Sequence, residues 1–201
     1  MKYCFFIALI ILGAQISIGQ TIYQNDLVKL KLQPPKNWKY AGTEESKKNL
    51  KEVKFTEEEL KSISNSNKGI ISQISYYKYD MDSVTGFIPT IKITVRLNPA
   101  KDFNEFKNMI TASADKLKST LNNFVYLNNI TTVKLSDHNS VYYSCRYSIT
   151  PVSSDKFIIR TKSYSTPRGR YFVSITFMDN ESTEDCSNVF NELLKTISIT
   201  D

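Results

Sequence analysis

From Ile130 to Met178 the chain repeats one pattern four times: apolar and polar residues in alternation, then a short link of turn-forming residues. The segments are Ile130 to Leu135, Val141 to Thr150, Phe157 to Tyr164 and Tyr171 to Met178. Their links hold Ser136 to Ser140, Pro151 to Asp155, and Thr166 to Arg170 with Pro167 and Gly169. Alternation at period two turns one side of each segment toward a core, which marks strands. A parallel connection needs a crossover of a dozen or more residues, so links this short force neighbouring strands to run antiparallel. No other feature narrows the possible folds as much.

The remaining elements are built around that sheet. Leu27 to Gln33 alternates with Val28, Leu30 and Leu32 on one side, and Pro34 and Pro35 end it because neither can donate to a ladder. Trp38 follows at once and is expected to fold back on the core as a structural anchor. Ile70 to Tyr79 and Ile91 to Leu97 read as a hairpin around the polar connection Asp80 to Pro89. Thr56 followed by Glu57, Glu58 and Glu59 is a capping box that opens a short helix toward Ile63. From Asp102 to Asn122 the residues Phe103, Phe106, Ile110, Ala114, Leu117 and Leu121 recur at helical steps, a stripe meant for a sheet. A second helix is expected over Ser182 to Thr196, with Ser182 as N-cap and Cys186, Val189, Phe190, Leu193 and Ile197 as its apolar positions. Two helices with apolar stripes need sheet surface to cover, so the fold class is α+β: a mainly antiparallel sheet of about seven strands, a long central helix and a C-terminal helix.

Composition supports one folded body. Of 201 residues, 41% are hydrophobic and 23% charged, which excludes low-complexity disorder and a multi-span membrane protein. Residues 1–19 read as a signal peptide: Lys2 gives a positive start, Cys4 to Leu12 an apolar run, and Ser17 and Gly19 the small residues before a cleavage site at Gln20. The expectation is an exported chain, periplasmic or secreted, with a single domain over 20–201 and no stable membrane span after cleavage. Removing the leader lowers the formal charge from +6 to +5, too little and too dispersed to indicate nucleic acid.

Few residues offer chemistry. Among three cysteines, one histidine and one tryptophan there is no basis for a zinc cluster, and no nucleophile elbow, phosphate loop or dinucleotide fingerprint occurs. His138 lies in a Ser-Asp-His-Asn-Ser turn, where adjacency to Asp137 does not make a catalytic relay. No catalytic residue, metal or cofactor is expected. Cys145 and Cys186 both fall on apolar stripes, so a disulfide between them is possible if the last helix packs over the strand of Cys145. The polar sides of the strands carry Lys92, Arg96, Arg146, Arg160 and Lys162, with Tyr142 and Phe172 among them, a possible basic binding face for an acidic partner or glycan.

The sequence Pro34-Pro-Lys-Asn-Trp38 after a strand resembles the opening of PsbP-like domains, the group that includes DcrB-like exported proteins. The resemblance continues through the long helix and antiparallel meander to Tyr171-Phe-Val-Ser-Ile-Thr-Phe177 and the helix bearing Phe190 and Leu193. It implies an α/β/α sandwich and a non-catalytic binding or accessory module at the cell envelope. It transfers no active-site motif. The partner it leaves open is a protein, a glycan or an apolar ligand. The alternatives are a carrier of a small apolar ligand and an enzyme with a dispersed acidic or tyrosine site.

Overall fold

The computed structural model describes residues 21–42, 69–84, 86–149 and 156–201. The expected leader, its cleavage site and the capping-box helix after Thr56 lie outside the described residues.

Ten strands and two α-helices follow in chain order among the described residues: β1 Tyr23–Asn25, β2 Leu30–Leu32, β3 Lys39–Ala41, β4 Ile70–Tyr77, β5 Thr90–Leu97, α1 Phe103–Thr120, β6 Asn122–Leu135, β7 His138–Ile149, β8 Phe157–Arg168, β9 Tyr171–Asp179, α2 Ser187–Thr196 and β10 Ser198–Ile199. Seven strands form one antiparallel sheet in the order β3-β4-β5-β9-β8-β7-β6, and β1-β2-β10 form a small second sheet. The architecture is α+β. α1 carries the chain from β5, in the middle of the sheet, to β6 at its far edge. The meander β6 to β9 then walks back inward, and β9 closes beside β5.

Local chemistry sets the boundaries. Asp102 caps α1 by accepting the Glu105 N–H at 2.9 Å. The helix stops at Leu121, and β6 begins directly at Asn122, well before the strand expected from Ile130. Asn123 has φ +53, a left-handed conformation that asparagine tolerates. The β6–β7 link is a two-residue turn in which Ser136 (φ +48) and Asp137 (φ +66) are both left-handed, the type I′ geometry that matches strand twist.

α2 starts later than its composition suggests. Ser182 is not its cap: the Ser182 N–H donates to the Asn180 side chain within a turn closed by the Asn180–Glu184 bridge. The helix begins at Ser187, whose N–H donates to Asp185 Oδ1 at 2.8 Å. The Cys186 N–H donates to Asp179 Oδ2 at 2.9 Å, so carboxylates outside the helix satisfy its first donors.

Each face of the sheet has its own core. α1 packs Phe106, Ile110 and Ala114 against Val141, Tyr143, Cys145 and Phe172. On the other face, α2 and the small sheet bury Ile91, Ile93, Val95, Val173, Ile175 and Phe177 under Phe190, Leu193, Val28, Leu30 and Leu32. Trp38 is 6% exposed and meets Phe190 edge-on at 6.2 Å. No described helix is long and apolar enough to cross a membrane.

Candidate functional site

The five basic residues of the expected binding face do not share a face. Lys92 pairs with Thr176 of β9, and Arg96 with Phe172, whose ring packs on Phe106 of α1 at 5.4 Å. Lys162 pairs with Phe177, which stacks on Phe190 of α2 at 4.9 Å, and Arg160 and Arg146 follow Lys162 in register. Lys92 and Arg96 thus stand on the α1 side, and Arg146, Arg160 and Lys162 on the α2 side. The reason is register. Even-numbered residues of β5 lie opposite even-numbered residues of β9, while those of β8 lie opposite odd-numbered ones. Alternation fixes faces within a strand and says nothing across strands. Burial pushes the pKa of Lys92 and of Arg96 down, and for Lys92 the nearby Arg96 charge adds to it.

Arg160 is committed to structure. It is 7% exposed, and its Nε and Nη2 donate to both Asp179 oxygens at 2.9 and 2.6 Å. Nη1 reaches Glu181 at 3.1 Å and Nη2 reaches Asp185 at 2.6 Å. Burial disfavours the Arg160 charge, but hydrogen bonds to Asp179 and Asp185 outweigh it and raise the pKa. Asp185 is held well below the usual carboxylate range, first by Arg160 and then by the Ser187 N–H. One guanidinium thereby fixes the three carboxylates that organise the entry to α2. Asp179 was legible in principle: it sits in phase with Val173, Ile175 and Phe177, where a carboxylate needs a buried partner.

The expected disulfide is not formed. Both cysteines are free and buried, Cys145 in the cluster under α1 and Cys186 in the cluster under α2, on opposite faces of the sheet. Burial raises the Cys145 thiol to about 12 and the Cys186 thiol to about 11. Neither is poised as a nucleophile.

His138 opens β7 and binds the C-terminal segment. One ring nitrogen, Nε2, lies 3.0 Å from the Ile199 carbonyl, while Arg168 Nη1 lies 3.1 Å from Nδ1. A carbonyl only accepts and a guanidinium only donates, so Nε2 donates to Ile199 and Nδ1 accepts from Arg168. Arg168 also donates to the Thr200 carbonyl. These bonds hold β10 against the β6–β7 turn, together with the Ile199 N–H donating to Ser136 Oγ at 2.9 Å.

What remains open is a groove of about 480 Å³ between the end of α2 and the outer strands, lined by Val133, Leu135, Tyr142, Tyr164, Leu194 and Lys195 among others. Tyr142 and Tyr164 face each other across β7 and β8 with ring centres 4.7 Å apart, making an aromatic ledge. Burial, then Tyr142, raises the Tyr164 phenol to about 12, so it stays protonated and can donate at neutral pH. Farther along the same face, Ser144 Oγ donates to Asn128 Oδ1 at 2.7 Å, and exposed Arg146 stands beside Val125. The sequence names Tyr142 only as part of the expected basic face; its grouping with Tyr164, Val133, Leu194 and Lys195 comes from the register and the path of α2. A smaller hollow of about 220 Å³ opens beside α1, between Arg96, Leu97, Met109, Ile110 and Phe172. Among the described residues, no group of three His, Cys, Asp or Glu side chains could hold a metal ion.

No protein-family model matches the chain, and no curated protein matches its sequence. Solved structures do match its shape. A protein of Bacteroides thetaiotaomicron is similar with a TM-score of 0.50 at 9% identity, over 92% of this chain and 50% of that one, so this chain spans half of that protein's length. LpqN of Mycobacterium tuberculosis, involved in cell envelope biogenesis, is similar with a TM-score of 0.52 at 11% identity, over 86% of this chain and 84% of LpqN. The cyanobacterial PsbP of Synechocystis is similar with a TM-score of 0.53 at 10% identity, over 94% of this chain and 99% of that protein. At such identities the likeness lies in the fold: the chain has a PsbP-like α+β architecture.

Proposed function

We propose that this chain is an exported, non-catalytic accessory protein of the cell envelope that holds a partner in the groove between α2 and the outer strands. The observation that carries the reading is the groove itself. Its floor offers the Tyr142–Tyr164 ledge and its wall offers Leu194 and Lys195. An apolar ledge with polar neighbours suits recognition of a partner surface. The strongly perturbed groups elsewhere serve packing, as Arg160 does at the entry to α2. The leader pattern at residues 1–19 and the likeness in fold to an envelope-biogenesis protein support the envelope as the setting.

The test has two parts. Fractionation of cells expressing the full chain should recover a processed protein beginning at Gln20 in the periplasmic or secreted fraction. Affinity capture from the envelope fraction should then retain partners on the wild type that a Tyr142→Ala, Leu194→Asp variant loses. Retention of the same set by both proteins would remove the groove as the binding site.

A further inference from the structure

The two edges of the seven-stranded sheet are defended very differently. β3, at one edge, is three residues long, and a short edge strand is one of the ordinary protections against pairing with another chain. β6, at the other edge, is fourteen residues long, contains no proline and carries a single charged side chain, Lys134. No described strand pairs with its outer side. Register shifts bend its first part, between Asn122 and Val125, Tyr126 and Asn128, and Asn128 and Thr131. From Thr131 to Leu135 the register is continuous, so this end is straight and unprotected. The same stretch supplies Val133 and Leu135 to the groove, which has α2 as its wall on one side and nothing described beyond β6 on the other.

We propose that two copies of the chain pair antiparallel through Thr131 to Leu135 of β6, and that each copy supplies the wall the other copy's groove lacks. The hydrogen-bond phase selects this register. Leu135 and His138 flank the two-residue turn and form a hydrogen-bonded pair, so the backbone groups of Leu135, Val133 and Thr131 face β7. Those of Thr132 and Lys134 face outward. A two-fold axis at Val133 then sets Val133 opposite its own copy. It also sets Thr132 opposite Lys134, so that their outward N–H and C=O groups satisfy one another twice. The charge pattern fits a second copy of this segment: each Lys134 meets a threonine, and no like charges stand opposed, although the whole chain carries a formal +6. Val133 faces the α2 side in both copies, so the two grooves join across the axis. At ~4.8 Å per strand, the two β8 strands lie ~24 Å apart, with an α2 beyond each and the Tyr142–Tyr164 ledges between them. The floor becomes a single fourteen-stranded sheet walled by two helices.

The proposal does not rest on the groove having a partner, because self-association is read separately. Sedimentation of the purified protein over a concentration series should show a monomer–dimer equilibrium. Thr132→Pro removes an outward N–H that β7 does not use, and should leave a monomer with unchanged circular dichroism. Two further variants read the register itself. Thr132→Lys sets like charges opposite each other and should weaken the dimer several-fold, while Thr132→Glu sets a carboxylate opposite Lys134 and should tighten it. A wild type that stays monomeric into the high-micromolar range overturns the proposal. So does a dimer whose affinity Thr132→Lys and Thr132→Glu move in the same direction or not at all.

Discussion

On the face covered by α2, Ile91, Ile93 and Val95 of β5 stand opposite Phe177, Ile175 and Val173 of β9, and each is no more than 1% exposed. On the face covered by α1, the same two strands set Thr90, Lys92 and Thr94 opposite Met178, Thr176 and Ser174. The next strand continues the contrast, with Ser163 and Ser165 bonded to Thr176 and Ser174 at 3.3 and 2.8 Å. Around β5 and β9 the sheet therefore has a dry aliphatic side and a hydroxyl-rich side. Hydrophobic burial is non-directional, whereas paired hydroxyls specify which residue lies opposite which. The α2 side holds the larger apolar cluster and so supplies more of the driving force for folding, while the α1 side spends several buried positions on register.

The largest test compares truncations across the sheet. Phe177→Ala removes a ring that touches both Phe190 and Tyr164, and its loss should cost about 5 kcal/mol, the upper end for a core phenylalanine. Phe106→Ala removes an equally buried ring whose neighbours are Phe103 and Phe172, and should cost about 3 kcal/mol. Urea unfolding of both variants measures the difference. Equal losses, or a larger loss at Phe106, would break the contrast between the faces.

The α2 side also buries a charged pair, Arg160–Asp179, with side chains 8% and 1% exposed. Removing Asp179 leaves the buried Arg160 guanidinium only the more exposed Glu181 and Asp185, so Asp179→Ala should cost about 3 kcal/mol, whereas exchange of Arg160 and Asp179 for apolar residues should cost less. Asp179 also accepts the Cys186 N–H, so its loss should fray the start of α2. Hydrogen exchange at Ser187 to Phe190 that matches the wild type would separate the pair from the helix and sink this account.

These cases show what the sequence could and could not convey. Strand alternation and helical stripes follow from covalent order, so β4, β5, the meander and both helices were readable, as was the burial of Trp38. The basic face and the Cys145–Cys186 bridge failed because each required knowing how residue phase passes from one strand to the next. That phase depends on the β8–β9 turn and on β9 inserting beside β5, a pairing between segments far apart in sequence. The groove was unreadable for the same reason, since Val133, Tyr164 and Leu194 come from three elements. The late start of α2 was hidden because Ser182, a good cap in isolation, is outcompeted by the Asn180–Glu184 turn and by Asp185.

Alkali should probe the two sides unequally. Burial raises Cys145, Tyr126 and Tyr147 on the α1 side to about 12, and on the α2 side it raises Cys186 to about 11 and Tyr164 to about 12. A raised folded pKa means that the native state binds its proton more tightly than the unfolded chain. The associated stability is full below the unfolded thiol value of about 8.5, and it is lost as pH climbs through the folded values. Stability should therefore hold between neutrality and about pH 8.5 and fall steadily above it. Cys145→Ala and Cys186→Ala should each remove a similar share of the initial slope. They should separate only near pH 11, where the Cys186 thiol ionises in the fold while Cys145 keeps its proton. With both replaced, the fall should begin only where phenols ionise, near pH ~10. An unchanged onset in the double variant would mean that the thiols are not desolvated as the fold requires.

The smallest effect concerns the hydroxyl ladder on the α1 side. Ser165 is 3% exposed and shares a 2.8 Å bond with Ser174. Ser165→Ala leaves the half-buried Ser174 hydroxyl without its partner, a cost of about 1 kcal/mol. Removing the second hydroxyl as well deletes the unsatisfied group, so the double variant Ser165→Ala, Ser174→Ala should be less destabilised than the sum of the two single variants. On a purely apolar face, the same cycle would show simple additivity or a gain from each alanine. The coupling energy from equilibrium unfolding thus decides whether these serines hold the register of β8 against β9 or merely tolerate burial.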